Sequence, residues 1–196
     1  MEALPNSLLR FIEQKEYALQ FIAGQIRFGL LDYYRSIEDS RRDDKEGLVS
    51  GVWGQEESDQ NIRYRGRSMN PYYILCTAHP NVDVPMMTAK FGAFIVCINN
   101  PLALLERIRP VWKKHPLAFA DNARIAPVVY NKDELLKMDP SLHVPPEYSY
   151  SQKPKSKKDE QEFRYVLTCT YSNANRDLGD DITLDVGDCR DICTLL

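Results

Sequence analysis

The 196-residue chain lacks the marks of membrane, secreted and metal-dependent proteins. Its longest uncharged apolar run, residues 91–98, has eight residues, far short of the roughly 20 that a membrane helix needs. Charged side chains, among them Arg10 and Glu13, interrupt the N-terminal region, so no signal peptide is predicted. The five cysteines form no C-x-x-C pair, and the three histidines are scattered. We therefore expect reduced thiols, a cytoplasmic location, no membrane segment and no metal site.

The motifs that identify common enzyme families are also missing. The sequence contains no G-x-S-x-G, no P-loop and no G-x-G-x-x-G, and its nine glycines do not cluster to cradle a pyrophosphate. A net charge of −3 disfavours a protein that coats nucleic acid electrostatically. Hydrophobic residues make up 43% of the chain, enough for one core. We therefore predict one domain over residues 1–196.

The order of the predicted elements favours an α+β fold. Apolar residues recur at helical spacing over residues 8–22, with Ser7 as N-cap and Gly24 as the stop, which predicts an N-terminal helix. A mixed, mostly antiparallel sheet with inserted short helices is predicted to follow. The predicted strands are 25–29, 72–77, 91–98, 125–130, 163–171 and 182–186; the predicted short helices are 33–37, 102–108 and 132–138, and residues 139–159 are predicted to form a polar loop.

An arginine stands inside the first predicted strand, where its neighbours are apolar. Arg27 needs a partner, because burying a lone charge costs several kcal/mol. Its guanidinium can hold a phosphate through two parallel hydrogen bonds, with Tyr33 or Tyr34 offering an aromatic face nearby. The alternative is a structural salt bridge between Arg27 and one of the acids that follow it.

A second unusual stretch, Glu160-Gln161-Glu162, precedes the strand predicted at 163–171. The alternation of a strand places Glu162 and Arg164 on one face and holds the Glu162 carboxylate rigidly. Glu160 is expected to remain on the preceding loop as a mobile acid. Together the two acids would form the mouth of a cleft, unless Glu162 and Arg164 are only a surface charge pair.

These features together resemble the single-domain ADP-ribosyltransferases of the Arg–Ser–Glu class. The resemblance rests on Arg27, on Thr77 at the end of a central strand, and on the run of Glu160 and Glu162. It implies that Arg27 grips the phosphate and ribose of NAD and that the Thr77 hydroxyl supports the site. It further implies that Glu162 binds the nicotinamide ribose and stabilises an oxocarbenium-like transition state, while Glu160 orients the acceptor. Tyr33 or Tyr34 would pack against nicotinamide or adenine.

The Arg-Phe-Gly, Tyr-Tyr-Arg and Glu-x-Glu-Phe-Arg motifs are also similar to those of uncharacterised bacterial and phage proteins, some encoded near toxin–antitoxin or phage-defence genes. This second resemblance implies a toxin or defence effector with an antitoxin as partner. The leading interpretation is a cytoplasmic NAD-dependent mono-ADP-ribosyltransferase-like enzyme that modifies a nucleic acid or a protein and uses no metal.

Four lysines are the predicted contacts to that acceptor: Lys153, Lys155, Lys157 and Lys158. We expect residues 149–159, which contain them, to be mobile. Two alternatives remain open. One is a non-catalytic phage or bacterial accessory protein of the same fold, with Arg27 and Glu162 as an internal ion pair. The other is an RNA-directed toxin that uses the lysines against phosphate.

Overall fold

The computed structural model of the protein describes residues 3–36, 48–53, 62–67, 70–130, 136–138, 150–170 and 178–196. The strands are β1 (Leu8–Ile12), β2 (Gln25–Leu30), β3 (Leu48–Trp53), β4 (Ile62–Arg67), β5 (Tyr72–Ala78), β6 (Phe94–Ile98), β7 (Ala118–Pro127), β8 (Leu136–Met138), β9 (Glu162–Cys169), β10 (Asp181–Asp185) and β11 (Cys193–Leu195). The helices are α1 (Lys15–Ile22), α2 (Tyr33–Ser36), α3 (Val84–Phe91), α4 (Pro101–Lys113) and a 3₁₀ helix, Lys155–Glu160. Helices with a large antiparallel sheet confirm the predicted α+β class.

The eight-stranded main sheet divides at β5. One edge of β5 pairs with β9 from Tyr72 to Ala78, and β9 pairs in turn with β7. The other edge is shared: β2 pairs with it at Tyr73 and Ile74, whereas β1 pairs with it at Ala78. Strand β10 continues the sheet beyond β2, and β6 and β11 continue it beyond β1. The gap between β2 and β1, along residues 75–77 of β5, is called the fork below.

Strand β9 forms the centre of the protein, and all eight of its residues are buried. Phe163, Tyr165 and Leu167 face the main hydrophobic core, which also contains Trp112 of α4. Alternation along the strand turns Glu162, Arg164 and Val166 to the opposite face. Burying Glu162 and Arg164 costs free energy unless each charge has a partner. The ionic contacts of β9 are therefore expected on this face.

The predicted N-terminal helix is wrong in its first part, because residues 8–12 form β1 and α1 begins only at Lys15. Four of the five residues of β1 are buried. A strand covered on both faces is apolar in successive positions, and such a short run cannot be distinguished from a helix by periodicity. The predicted stop is correct: Gly24 has a φ of +94° and approaches the backbone of Gly187 too closely for any side chain.

Several other boundaries differ from the prediction. The strand predicted at 91–98 begins at Phe94, because α3 extends to Phe91. Helix α4 continues past Pro110 to Lys113, with Pro110 on its exposed side near the end. Of the helix predicted at 132–138, residues 136–138 are instead β8, and residues 131–135 lie outside the described residues, as do residues 139–149 of the predicted loop. Within the described residues, no helix combines the length and apolarity needed to cross a bilayer.

Candidate functional site

A cavity of about 620 Å³ opens at the fork. Every residue predicted for catalysis or NAD binding borders it: Arg27, Tyr33, Tyr34, Thr77, Glu160 and Glu162. The other residues that border it include Arg10, Cys76 and Arg164, which the prediction did not assign to the site, and Lys153, which it assigned to the acceptor. The split of the sheet therefore brings side chains from β1, β2, β5 and β9 around one space.

Glu162 lies at the start of β9, opposite Ala78 of β5, and its side chain is 5% exposed. Its Oε1 accepts a hydrogen bond from Arg164 Nε at 2.7 Å, and its Oε2 lies 2.5 Å from Lys153 Nζ. Burial alone would raise the pKa of Glu162, but the charges of Arg164 and Lys153 and hydrogen bonds from Arg164 and Cys76 hold it well below its usual range. Glu162 is therefore a fixed anion that has no proton to donate near neutral pH.

Glu160 ends the 3₁₀ helix and is also buried, so the prediction of a mobile acid is wrong. Lys90 Nζ lies 2.5 Å from its Oε1, and Lys153 Nζ lies 2.7 Å from its Oε2. The next residue, Gln161, takes a left-handed conformation with φ +40°, which turns the chain directly into β9. Lys153 thus bridges the two glutamates and fixes the relative position of their carboxylates.

Arg164 is the most deeply buried charge of the site, with 1% of its side chain exposed. It binds Glu162 through Nε and donates from Nη1 to the carbonyl of Tyr150 at 2.7 Å. The alternative in which Glu162 and Arg164 form a surface charge pair is therefore wrong. Lys153, Glu160, Glu162 and Arg164 are called the ionic floor below.

Arg27 also borders the cavity, and its side chain is 60% exposed. Its Nη2 donates to Asp181 Oδ2 of β10 at 2.5 Å. That hydrogen bond raises the pKa of Arg27 against the opposing effect of partial burial. Within the described residues, Arg27 pairs with Asp181, neither with an acid that closely follows it nor with Glu162. Arg27 and Asp181 are called the rim pair below.

Tyr34 packs directly on Gly29 of β2. A Cβ atom at Gly29 would lie only 2.7 Å from the Tyr34 hydroxyl oxygen, so the glycine of the Arg-Phe-Gly motif makes room for this ring. Burial raises the pKa of Tyr34 well above its usual value, and the charges of Arg10, Glu162 and Arg164 also act on its hydroxyl. The ring of Tyr33 meets that of Tyr34 edge-on at 6.1 Å between centroids. Both tyrosines border the cavity.

The hydroxyl of Thr77 faces away from Glu162. Thr77 lies opposite Phe163, and its Oγ1 donates to the carbonyl of Phe163 at 2.9 Å. The alternation of β5 instead gives Cys76 and Ala78 the face that they share with Glu162. Thr77 thus ties β5 to β9 beside Glu162, while the cavity face of the central strand belongs to Cys76.

The predicted lysine loop requires a correction. Residues 155–160 form the 3₁₀ helix, and Lys153 is 8% exposed and bound to both glutamates, so it is not a solvated contact. Lys155 and Lys158 are exposed, and Lys157 lies 3.9 Å from Glu160. The run of lysines concealed its buried member, because lysines so close together are ordinarily solvated.

Arg10 was missed for a different reason. It stands in the apolar run of residues 8–12, the same signal that identified Arg27, but that run was predicted as part of a helix, and Arg10 was considered only as a charge that excludes a signal peptide. Within the described part of the chain, no group of three or more histidine, cysteine or acidic side chains is arranged to hold a metal ion.

No protein-family model, curated protein or solved structure matches the chain.

Proposed function

We propose that the protein is an NAD-dependent mono-ADP-ribosyltransferase-like enzyme that modifies a nucleic acid or a protein. The main support is that Arg27 of β2 and Glu162 of β9, which lie on different strands, border one cavity, whereas Thr77 contributes a tie between β5 and β9. Its volume of about 620 Å³ is within the usual range of small-molecule sites. Arginines at both sides of the fork and the rings of Tyr33 and Tyr34 match the diphosphate and the bases of a dinucleotide.

The proposed chemistry uses Glu162 as an electrostatic group. The bond between the nicotinamide nitrogen and the ribose breaks, nicotinamide leaves with the bonding electrons, and the ribose carries the positive charge. A nucleophile of the acceptor then bonds to the same carbon and releases its proton. Because its pKa lies far below neutrality, Glu162 is charged throughout and stabilises the cation that develops in the transition state. Arg164 and Lys153 hold its carboxylate in place, so little reorganisation accompanies the reaction.

The remaining roles follow from position. Arg27, at the rim, would contact the phosphate and ribose after exchanging Asp181 for the ligand. Glu160, bound by Lys90 and Lys153, would position Glu162 through Lys153 in addition to its predicted role towards the acceptor. Lys155, Lys157 and Lys158 would contact a nucleic-acid or protein acceptor. The proposal includes a biological role: the enzyme acts in the cytoplasm as a toxin or defence effector, and an antitoxin holds it inactive.

Release of nicotinamide from NAD, followed by chromatography, tests the proposal. We expect turnover by the wild type and a loss of about a hundredfold or more in Glu162→Gln, with the NAD dissociation constant little changed, because the charge acts in the transition state. Glu106→Gln is the matched control, since Glu106 is 64% exposed and does not border the cavity. Circular dichroism must first show that each variant is folded at the assay temperature.

The non-catalytic alternative is favoured by one observation: both carboxylate oxygens of Glu162 already have cationic partners. A binding protein needs these contacts only for its fold. Wild-type protein that neither binds NAD in calorimetry nor releases nicotinamide would contradict the proposed enzyme and support this alternative.

A further inference from the structure

At the fork, part of the central strand β5 has a strand neighbour on one side only. Within the described residues, no strand pairs with residues 75–77 of β5 on the side away from β9. Leu31 N–H donates to the carbonyl of Tyr72, and Ile74 pairs with Gly29. The backbone N–H and carbonyl groups of every second residue of β5 therefore point towards this side. Cys76 continues that alternation, and its carbonyl and N–H therefore both point into the fork.

Arg10 of β1 contacts the backbone of β5 at this point. Its Nη1 donates to the carbonyl of Cys76 at 2.7 Å, and the side chain borders the cavity. Within the described residues, no carboxylate pairs with Arg10, whereas Arg27 and Arg164 each bind one. A guanidinium has five N–H donors in a fixed plane, so one bond to a carbonyl leaves donors for a ligand.

The Tyr34 hydroxyl is a second donor beside Arg10. Within the described residues it makes no hydrogen bond, although the ring is held in place against Gly29. Burial raises the pKa of both Tyr34 and Cys76, and the charge of Arg10 opposes each increase. Tyr34, Cys76 and Arg10 all border the same cavity. The negative charge of Glu162 does not cancel Arg10, because Arg164 and Lys153 already compensate it.

We infer that Arg10, the N–H of Cys76 and the Tyr34 hydroxyl form an anion subsite that takes the phosphoryl group of a phosphate ester or diphosphate ligand. In the assignment of that ligand to NAD, the inference rests on the proposed function; the subsite itself does not. Arg27 is the weaker candidate for this contact, because Asp181 neutralises it and water screens it. Arg10 is partly shielded from water, which strengthens a charge-assisted bond to phosphate.

Calorimetric titration with inorganic pyrophosphate tests the subsite. We expect Arg10→Gln to weaken pyrophosphate binding roughly tenfold to a hundredfold, the loss typical of a hydrogen-bonded charge. Arg27→Gln should weaken it less than about fivefold. Arg190→Gln is the matched control and should leave the affinity unchanged, since Arg190 is 74% exposed and does not border the cavity. Equal affinities of the wild type and a folded Arg10→Gln variant would overturn the inference.

A second measurement needs no variant. Pyrophosphate added to the wild-type protein should shift the backbone amide NMR signal of Cys76 and the side-chain signals of Arg10, while the signals of Arg190 stay in place. Shifts confined to the exposed lysines of the 3₁₀ helix, or no binding at all, would overturn the subsite even if Arg10→Gln fails to fold.

The two proposals fail in different ways. Pyrophosphate binding that depends on Arg10, in a protein that releases no nicotinamide from NAD, supports the subsite and contradicts the proposed enzyme. Nicotinamide release by the wild type, together with pyrophosphate binding that is insensitive to Arg10→Gln, overturns the subsite and leaves the proposed enzyme in place.

Discussion

The floor and the rim of the cavity contain the same kind of ion pair in opposite environments. On the ionic floor, Glu162 and Arg164 are 5% and 1% exposed. In the rim pair, Arg27 and Asp181 are 60% and 34% exposed. The contact distances, 2.7 Å and 2.5 Å, do not distinguish the two pairs. Solvent exposure distinguishes them. Water screens the charges of the rim pair, whereas each charge of the ionic floor is stabilised mainly by its oppositely charged neighbours.

The difference in exposure determines what each ion pair can do when a ligand binds. Separating the rim pair costs little, so Arg27 can exchange Asp181 for a ligand group without disturbing the sheet. Separating the floor would leave a buried charge without a partner, so its carboxylates stay where the fold puts them. A rigid anion and an adjustable cation that border one cavity suit a site in which the cation binds an entering ligand and the anion acts on it.

The largest expected effect is the loss of stability in Glu162→Gln. The substitution removes the carboxylate that buried Arg164 binds through Nε and a carboxylate that contacts Lys153. We expect the free energy of unfolding, measured by urea denaturation at pH 7, to fall by about 3–5 kcal/mol. The control Glu106→Gln removes a partner of Arg109 on the surface and should cost about 0.5 kcal/mol or less. Equal losses in the two variants would contradict the burial of the floor.

Replacement of Lys153 should have the next largest effect. Lys153→Met removes the bridge between the two glutamates, but Arg164 still binds Glu162 and Lys90 still binds Glu160. We therefore expect a smaller loss, about 2 kcal/mol, in the same urea experiment. Lys158→Met changes an exposed lysine of the same run and should stay within about 0.5 kcal/mol. If both variants match the wild type, the lysines form a solvated loop as the sequence first suggested.

The floor should also make stability depend on acid. The pKa of Glu162 is lower in the folded protein than the ordinary carboxyl value of 4.5 that applies to the unfolded chain. Its contribution is therefore complete above that value and is lost as the pH falls towards the folded pKa, because the unfolded chain then binds the proton more readily. We expect the difference in unfolding free energy between wild type and Glu162→Gln to stay constant above about pH 5 and to shrink as the pH falls from there towards about pH 3. A constant difference would mean that Glu162 gains no stability from its charge.

The comparison also explains how far sequence reasoning reaches. Strand β2 was predicted because the alternation of its residues is a local signal. Strand β1 was predicted as helix because the two hydrophobic clusters that cover its faces consist mostly of residues distant in sequence. Whether an apolar run is covered on one face or two is a tertiary property, and no local pattern contains it.

The site shows the same limit. Arg27 stood out because it lies among apolar residues, and Glu162 because it opens a predicted strand; both border the cavity. Their partners, Asp181 and Lys153, stand beside like charges, Asp180 and Lys155, so neither was unusual in its own stretch. The sequence could therefore indicate which charges need partners, whereas the choice of partner depends on how β10 and the 3₁₀ helix pack against the strands.

The smallest effect is expected at the rim. Arg27→Gln removes an exposed charge whose pair with Asp181 is screened by water, so the free energy of unfolding should fall by less than about 1 kcal/mol. Raising the salt concentration in the wild type should weaken the same pair, so the cost of the substitution should decrease further in 0.5 M sodium chloride, at which the Debye length is only about 4 Å. Asp181→Asn is the matched change on the other partner, and the double variant should lose no more than the single ones, because either substitution removes the same contact. A loss as large as that of Glu162→Gln, unaffected by salt, would show that the rim is as buried as the floor and that Arg27 is not free to exchange its partner for a ligand.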